Sequence, residues 1–196
     1  MFAYLKGRLA HKDPTYVIID INGVGYEVKI SLNTFSQIKD ESIKLYTYLN
    51  IKEDAHTLFG FYTEQEKDIF LKLISISGVG PSTGLMVLSS LGPEEATNAI
   101  ITEDVRTIQG VKGIGAKTAQ RIILELKDKV GKEALGSDQI NIPISSANAI
   151  RNEALQALIT LGINKSAAQK SIDKILKDQG ADISLEELIK LALKAA

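Results

Sequence analysis

Polar and apolar positions divide the chain into three segments of different period. In residues 1–62 they alternate. Ala3, Leu5, Gly7 and Leu9 interleave with Tyr4, Lys6 and Arg8, residues 16–21 are largely β-branched, and residues 26–30 alternate again. Alternation of this kind marks strands with one covered face. Asn22-Gly23 between the second and third runs is a hairpin turn signal. Residues 31–39 have room for one short helix, after which residues 43–49 and 57–61 resume the strand pattern. Five short strands with a helical insert predict a small OB-like barrel, with a β-meander or SH3-like barrel as the alternative.

From residue 63 to 130 the period becomes helical. Ile69, Phe70, Leu73 and Ile74 share a face, and Leu85, Val87, Leu88 and Leu91 form another short apolar run. Ala119, Ile122, Ile123, Leu126 and Val130 form a longer stripe. Gly92-Pro93 and Thr102-Glu103-Asp104 read as turn or cap signals. Residues 131–146 lose the period and carry Gly131, Gly136, Ser137, Asp138, Pro143, Ser145 and Ser146, the composition of a flexible linker. Residues 147–196 then predict a three-helix bundle. Its apolar faces are Leu155, Leu158, Ile159 and Leu161, then Ala168, Ile172, Ile175 and Leu176, then Leu185, Leu188, Ile189, Ala192 and Leu193. Leu161-Gly162-Ile163 is a helix stop, and Ser184 with Glu187 is a capping box. The expected fold class is therefore multidomain, β then α.

Composition narrows the function. The chain of 196 residues is 44% hydrophobic and 24% charged, values of a globular protein. It has no Cys, which excludes disulfides, thiol nucleophiles and Cys-ligated metal, and His11 and His56 are its only imidazoles. No apolar run is long enough for a membrane span and the start lacks a signal-peptide layout, so the expectation is a soluble cytoplasmic protein. The net charge of −1 contrasts with the basic balance usual in nucleic-acid binders, so DNA binding must rest on local chemistry.

That chemistry lies in an internal repeat. Gly78-Val79-Gly80-Pro81-Ser82-Thr83-Gly84 matches Gly113-Ile114-Gly115-Ala116-Lys117-Thr118-Ala119, and each copy stands between two helical patterns. Two glycines around one aliphatic residue permit a tight turn, with Val79 or Ile114 plugging the gap between the helices. The N–H groups that follow are the unpaired donors of a helix N-terminus, which favours phosphate. Lys112, Lys117 and Arg121 place cations beside the second such end. This helix-hairpin-helix pattern grips the sugar-phosphate backbone without reading sequence. Gly23-Val24-Gly25 sits between strand patterns and reads as a hairpin turn. There is no phosphate-binding G-x-x-x-x-G-K-[ST] loop, so ATP hydrolysis and a nucleotide cofactor are not expected.

With Gly23-Val24-Gly25-Tyr26-Glu27-Val28, the run Glu53-Asp54-Ala55-x-x-Leu58-Phe59-Gly60-Phe61, the tandem hairpins, the linker and the small C-terminal bundle in that order, the whole chain resembles the RuvA family of Holliday junction recognition subunits. The resemblance implies a homotetramer, sometimes an octamer, that holds four-way junction DNA open. It also implies as partners the hexameric ATPase RuvB, contacted by the C-terminal domain, and the resolvase RuvC. It makes Glu53 and Asp54 an acidic pin at the tetramer centre, where like charges repel by roughly 1 kcal/mol per pair at 4 Å even in water. By motif the DNA-facing residues are Gly78, Val79, Gly80, Ser82, Thr83, Lys112, Gly113, Ile114, Gly115, Lys117, Thr118 and Arg121. Leu155, Leu158, Leu161 and Ile163 are candidates for the partner surface.

The sequence departs from the family at Ser82, commonly Lys, and at Ala116, commonly basic. Lys112 stands where the family often has Pro, and offsets part of the lost charge. Other classes remain open at this level. A helix-hairpin-helix nuclease or glycosylase would recruit Glu53, Asp54 and His56 to a metal, or Asp128 as an acid. A single-strand-binding OB module would need exposed aromatics among Tyr46, Tyr48, Phe59 and Phe61, whose alternation fits a barrel core as well.

Overall fold

The computed structural model describes the backbone of residues 2–137, 146–179 and 183–195, and the side chains of residues 2–127, 150–177 and 183–194. These residues form two compact units, divided after Ser137.

The first unit begins with five strands, β1 (Tyr4–Lys12), β2 (Tyr16–Ile21), β3 (Val24–Ile30), β4 (Ser42–Ile51) and β5 (His56–Phe61), closed into a barrel in the order β1-β2-β3-β5-β4. Every pairing is antiparallel except β3 with β5. An irregularity between Leu9 and His11 splits β1, whose first half pairs with β4 and second half with β2. Such a bulge bends a strand, which is how one strand serves two sides of a small barrel. Asn22 (φ 52°) and Gly23 (φ 87°) make the tight β2–β3 turn, so the hairpin ends there and Val24 and Gly25 already belong to β3. Leu5, Val17, Ile19, Val28, Ile30, Ile43 and Leu45 fill the interior.

Between β3 and β4 lies α1 (Leu32–Gln37), capped by the Ser31 hydroxyl. The helices α2 (Glu64–Ile74), α3 (Pro81–Ser90), α4 (Gly92–Ile101), α5 (Val105–Gln109) and α6 (Ala116–Ser137) follow. The aromatics Tyr48, Phe59 and Phe61 do not fill the barrel. They project from the outer face of β4 and β5 onto Phe70 of α2, with ring centroids 5.7, 5.5 and 4.7 Å from it. Alternation specifies that they share a face, and the covering helix makes that face a core, so barrel and helices share one apolar cluster. This removes Phe59 and Phe61, both buried, from any stacking platform. Tyr46 stays half-exposed, with Lys44 Nζ 4.5 Å from its ring centroid.

The expected linker needs correction. α6 runs through Gly131 to Ser137, seven residues into the segment read as linker. Gly131 and Gly136 each cost the helix only about 1 kcal/mol, and Lys132, Glu133, Ala134 and Leu135 between them are good helix formers. Residues 138–145 of that segment lie outside those described.

The second unit holds α7 (Ser146–Thr160), α8 (Lys165–Gln179) and α9 (Leu185–Ala195). Its core contains Ala154, Leu155, Leu158, Ala168, Ile172, Ile175, Leu188 and Ala192. α7 ends as the sequence specifies. Gly162 takes φ 92°, Ile163 N–H bonds Leu158 O at 3.0 Å and Gly162 N–H bonds Ile159 O at 3.0 Å, a Schellman closure. Among the described residues no helix is long and apolar enough to cross a membrane.

Candidate nucleic-acid interface

The two copies of the repeat adopt the same turn. Val79 N–H bonds Ile76 O at 3.0 Å, and Ile114 N–H bonds Val111 O at 3.1 Å. Gly84 N–H bonds Gly80 O and Ala119 N–H bonds Gly115 O, each at 2.9 Å, so α3 and α6 start in the same register. Gly78 (φ 91°) and Gly113 (φ 89°) occupy the left-handed region that a side chain disfavours. Gly80 caps α3 in extended conformation, and no side chain bonds the N–H groups of its first turn. An added Cβ at Gly78, Gly80, Gly113 or Gly115 would meet nothing within 4 Å, so both turns present bare backbone to approach from outside. Gly84 serves differently. Its missing Cβ lets α3 lie against α2, with Phe70 Cδ2 only 3.1 Å from where that atom would stand.

Side chains sort accordingly. Ser82, Lys112 and Lys117 are exposed, and Thr83 and Thr118 are half-buried. Val79 and Ile114 are 4% and 5% exposed, and their N–H groups are used inside the turns. They shape the hairpins, and their inclusion among DNA-facing groups is corrected: the plug that closes a turn points away from its surface. The sequence motif points Arg121 toward phosphate. Its Nη1 donates to Ser77 O, in the first turn, at 3.1 Å, and its Nε lies 3.8 Å from Glu125 Oε1.

Glu53 and Asp54 stand on the turn between β4 and β5, closed by Lys52 N–H to Ala55 O at 2.9 Å, and both are exposed. His56 begins β5 opposite Ile51. Among the described residues no three His, Cys, Asp or Glu side chains gather in a metal-holding group, Glu53, Asp54 and His56 included. The side chains of Asp128 and Val130 lie outside those described.

In the second unit Leu155 and Leu158 are 8% and 0% exposed, packed within the bundle. They are core, and their candidacy for a partner surface is withdrawn, because the inward stripe of α7 must meet α8 and α9. Leu161, just before the Gly162 stop, is 61% exposed, and Ile163 is half-buried.

Sequence reasoning missed Glu66. This carboxylate is 0% exposed and joins barrel to helices. It accepts from the Ser31 hydroxyl, from Thr34 Oγ1 at 2.6 Å and from Tyr62 N–H at 3.4 Å. Its own N–H bonds Thr63 Oγ1 at 3.1 Å. Thr63-x-x-Glu66 has the spacing of a capping box, which could have been noticed. The donors at Ser31 and Thr34, more than thirty residues away, could not.

Comparison with known proteins finds three family regions along the chain. Residues 1–60 match the RuvA N-terminal domain, residues 70–128 a SAM-like tandem helix-hairpin-helix, and residues 149–196 the RuvA C-terminal domain. Proteins named Holliday junction branch migration complex subunit RuvA are similar from end to end. Those of Cytophaga hutchinsonii and Christiangramia forsetii are 59% and 55% identical, with 99% of each chain covered. That of Acetivibrio thermocellus is 42% identical over 99% of this chain and 98% of its own. The barrel, the paired hairpins and the terminal bundle thus occur in the order, and over the length, of these relatives, and the chain belongs to the RuvA family.

Proposed function

We propose that this chain binds four-way Holliday junctions as the non-catalytic recognition subunit of a branch-migration complex in recombination and DNA repair. The observation that carries this is the pair of turns closed by matching hydrogen bonds, each presenting bare backbone at a helix N-terminus, in a chain similar throughout to junction subunits. Phosphate is held by the first-turn N–H groups of α3 and α6, with Ser82, Thr83 and Thr118 as hydroxyl donors and Lys112 and Lys117 as cations. No base edge is read, so selectivity comes from the shape of the junction.

Four copies arranged around the crossover, singly or as face-to-face octamers, repeat these grips on all four arms. Glu53 and Asp54 of each copy then meet at the centre. Their mutual repulsion, and their repulsion of phosphate, disfavours continuous duplex there and holds the strands apart. The ATPase of the assembly is RuvB, recruited through the C-terminal bundle, RuvC joins the same junction, and the setting is the cytoplasm. Ser82 in place of lysine removes one phosphate ion pair per chain, which flattens the dependence of log affinity on log salt by about 0.9 per pair.

A gel-shift titration tests the proposal, with a synthetic four-way junction against linear duplex of equal length, Mg²⁺ present and the strands examined afterwards. Strong preference for the junction, with strands uncut, is the expected result. Equal affinity for both DNAs would overturn junction recognition, and cut strands would restore the nuclease reading.

A further inference from the structure

We infer that Arg121 is a positioning residue that ties the second hairpin's helix to the first hairpin's turn, holding the two phosphate-binding ends at a fixed spacing. The inference deepens the proposed function and rests on it for its consequence in DNA binding, though the tie itself is a property of the fold.

The geometry is asymmetric. Arg121 lies four residues beyond Lys117 on α6, and its Nη1 donates to Ser77 O at 3.1 Å, across 44 residues of chain. Ser77 stands two residues past Ser75, which caps α2, and immediately before Gly78. Its carbonyl therefore belongs to the first hairpin's turn, beyond the end of α2, and accepts the Arg121 N–H there. The guanidinium supplies both charge and a directed N–H donor. Its Nε lies 3.8 Å from Glu125 Oε1, one turn further along α6. A shift of 35 positions carries Lys117 onto Ser82 and Arg121 onto Met86, which has no hydrogen-bonding group. The first hairpin thus cannot return the contact, and the polar tie between the turns runs one way, through Arg121.

Spacing matters because two grips on one DNA backbone act together only when both fit at once. A fixed separation removes the ordering cost of bringing them into register at each encounter. Lysine would keep the charge of Arg121 but not its rigid planar fork. Charge and positioning can therefore be separated by substitution, and at 52% side-chain exposure neither Arg121→Lys nor Arg121→Gln disturbs the core.

The absence of Cys makes the direct test simple. Full-length protein carrying Ser82→Cys and Ala116→Cys takes one spin label at the start of each hairpin helix, and pulsed electron paramagnetic resonance reads the intramolecular distance distribution, with the labelled chains diluted into unlabelled protein. A narrow distribution is expected with Arg121 present, broadened by both Arg121→Lys and Arg121→Gln. Unlabelled protein is titrated with junction and duplex over a range of salt. Arg121→Lys is expected to weaken junction binding about fivefold, the factor for one hydrogen bond of ordinary net strength, with an unchanged salt slope. If Arg121 only neutralises phosphate, Arg121→Lys binds like the parent, Arg121→Gln flattens the slope by about 0.9, and the distances do not change, which overturns the inference. If the parent binds neither DNA but the distances broaden in both variants, the tie stands and the proposed function falls.

Discussion

Glu66 is a fully buried carboxylate whose oxygens are satisfied by donors of Ser31 and Thr34, at the start of α1, and of Tyr62, just after β5. The same small network orders α1, because Ser31 Oγ also accepts from Thr34 N–H at 3.0 Å, and Thr34 Oγ1 accepts from Tyr62 N–H at 3.0 Å. Removing the acceptor leaves two hydroxyls and one N–H competing for too few partners in a dry site, and an unsatisfied buried group costs about 1–3 kcal/mol. Glu66→Ala should therefore destabilise the first unit by about 3 kcal/mol. Glu66→Gln should cost less than half as much, since its Oε1 still accepts and hydroxyls can turn to receive its amide. All six tyrosines lie within residues 1–62 and there is no Trp, so urea unfolding followed by tyrosine fluorescence reports this unit alone. Equal midpoints for Glu66→Ala and the parent would show that the network carries no stability.

At the scale of elements, each hairpin turn assigns different duties to its two glycines. Gly113 has φ 89°, so a side chain there strains the backbone, by about 1–2 kcal/mol for an L-residue in the left-handed region. Gly115 lacks a positive φ, and a Cβ on it meets nothing within 4 Å. Gly113→Ala should then lower thermal stability, whereas Gly115→Ala should leave the melting temperature unchanged and, on the proposed phosphate grip, weaken DNA binding, because its methyl would occupy the open space beside that turn. Thermal melts and junction titrations of the two variants check this, and a Gly115→Ala protein that binds like the parent would remove that turn from the interface. The elements themselves were largely legible. Strand alternation, Asn22-Gly23, the Asp104 cap of α5 and the Gly162 stop all act locally, within a few residues, where composition determines conformation.

For the whole molecule, the division after Ser137 separates two units with cores of their own. The first contains both hairpins and the Glu53-Asp54 turn, so a chain ending at Ser137 should fold and bind four-way junctions within about threefold of the full protein, the scatter expected when no contacting residue is lost. It should fail to stimulate the RuvB motor, which measurements of junction affinity and branch migration with the truncated and full proteins would separate. Loss of junction binding on truncation would move part of the interface into the bundle.

By itself the sequence determined the period of each segment, the repeat with its glycine turns, the turn that carries Glu53 and Asp54, and the order of barrel, hairpins and bundle. These follow from patterns that are short-range or repeated along the chain. Tertiary structure alone decided which of those faces meet. It placed Tyr48, Phe59 and Phe61 against Phe70 outside the barrel, buried Leu155 and Leu158 within the bundle, gathered Ser31 and Thr34 around Glu66, and brought Arg121 to the carbonyl of Ser77. An amphipathic stripe specifies that a face is covered, but the covering group comes from a distant part of the chain, and only the folded arrangement supplies it.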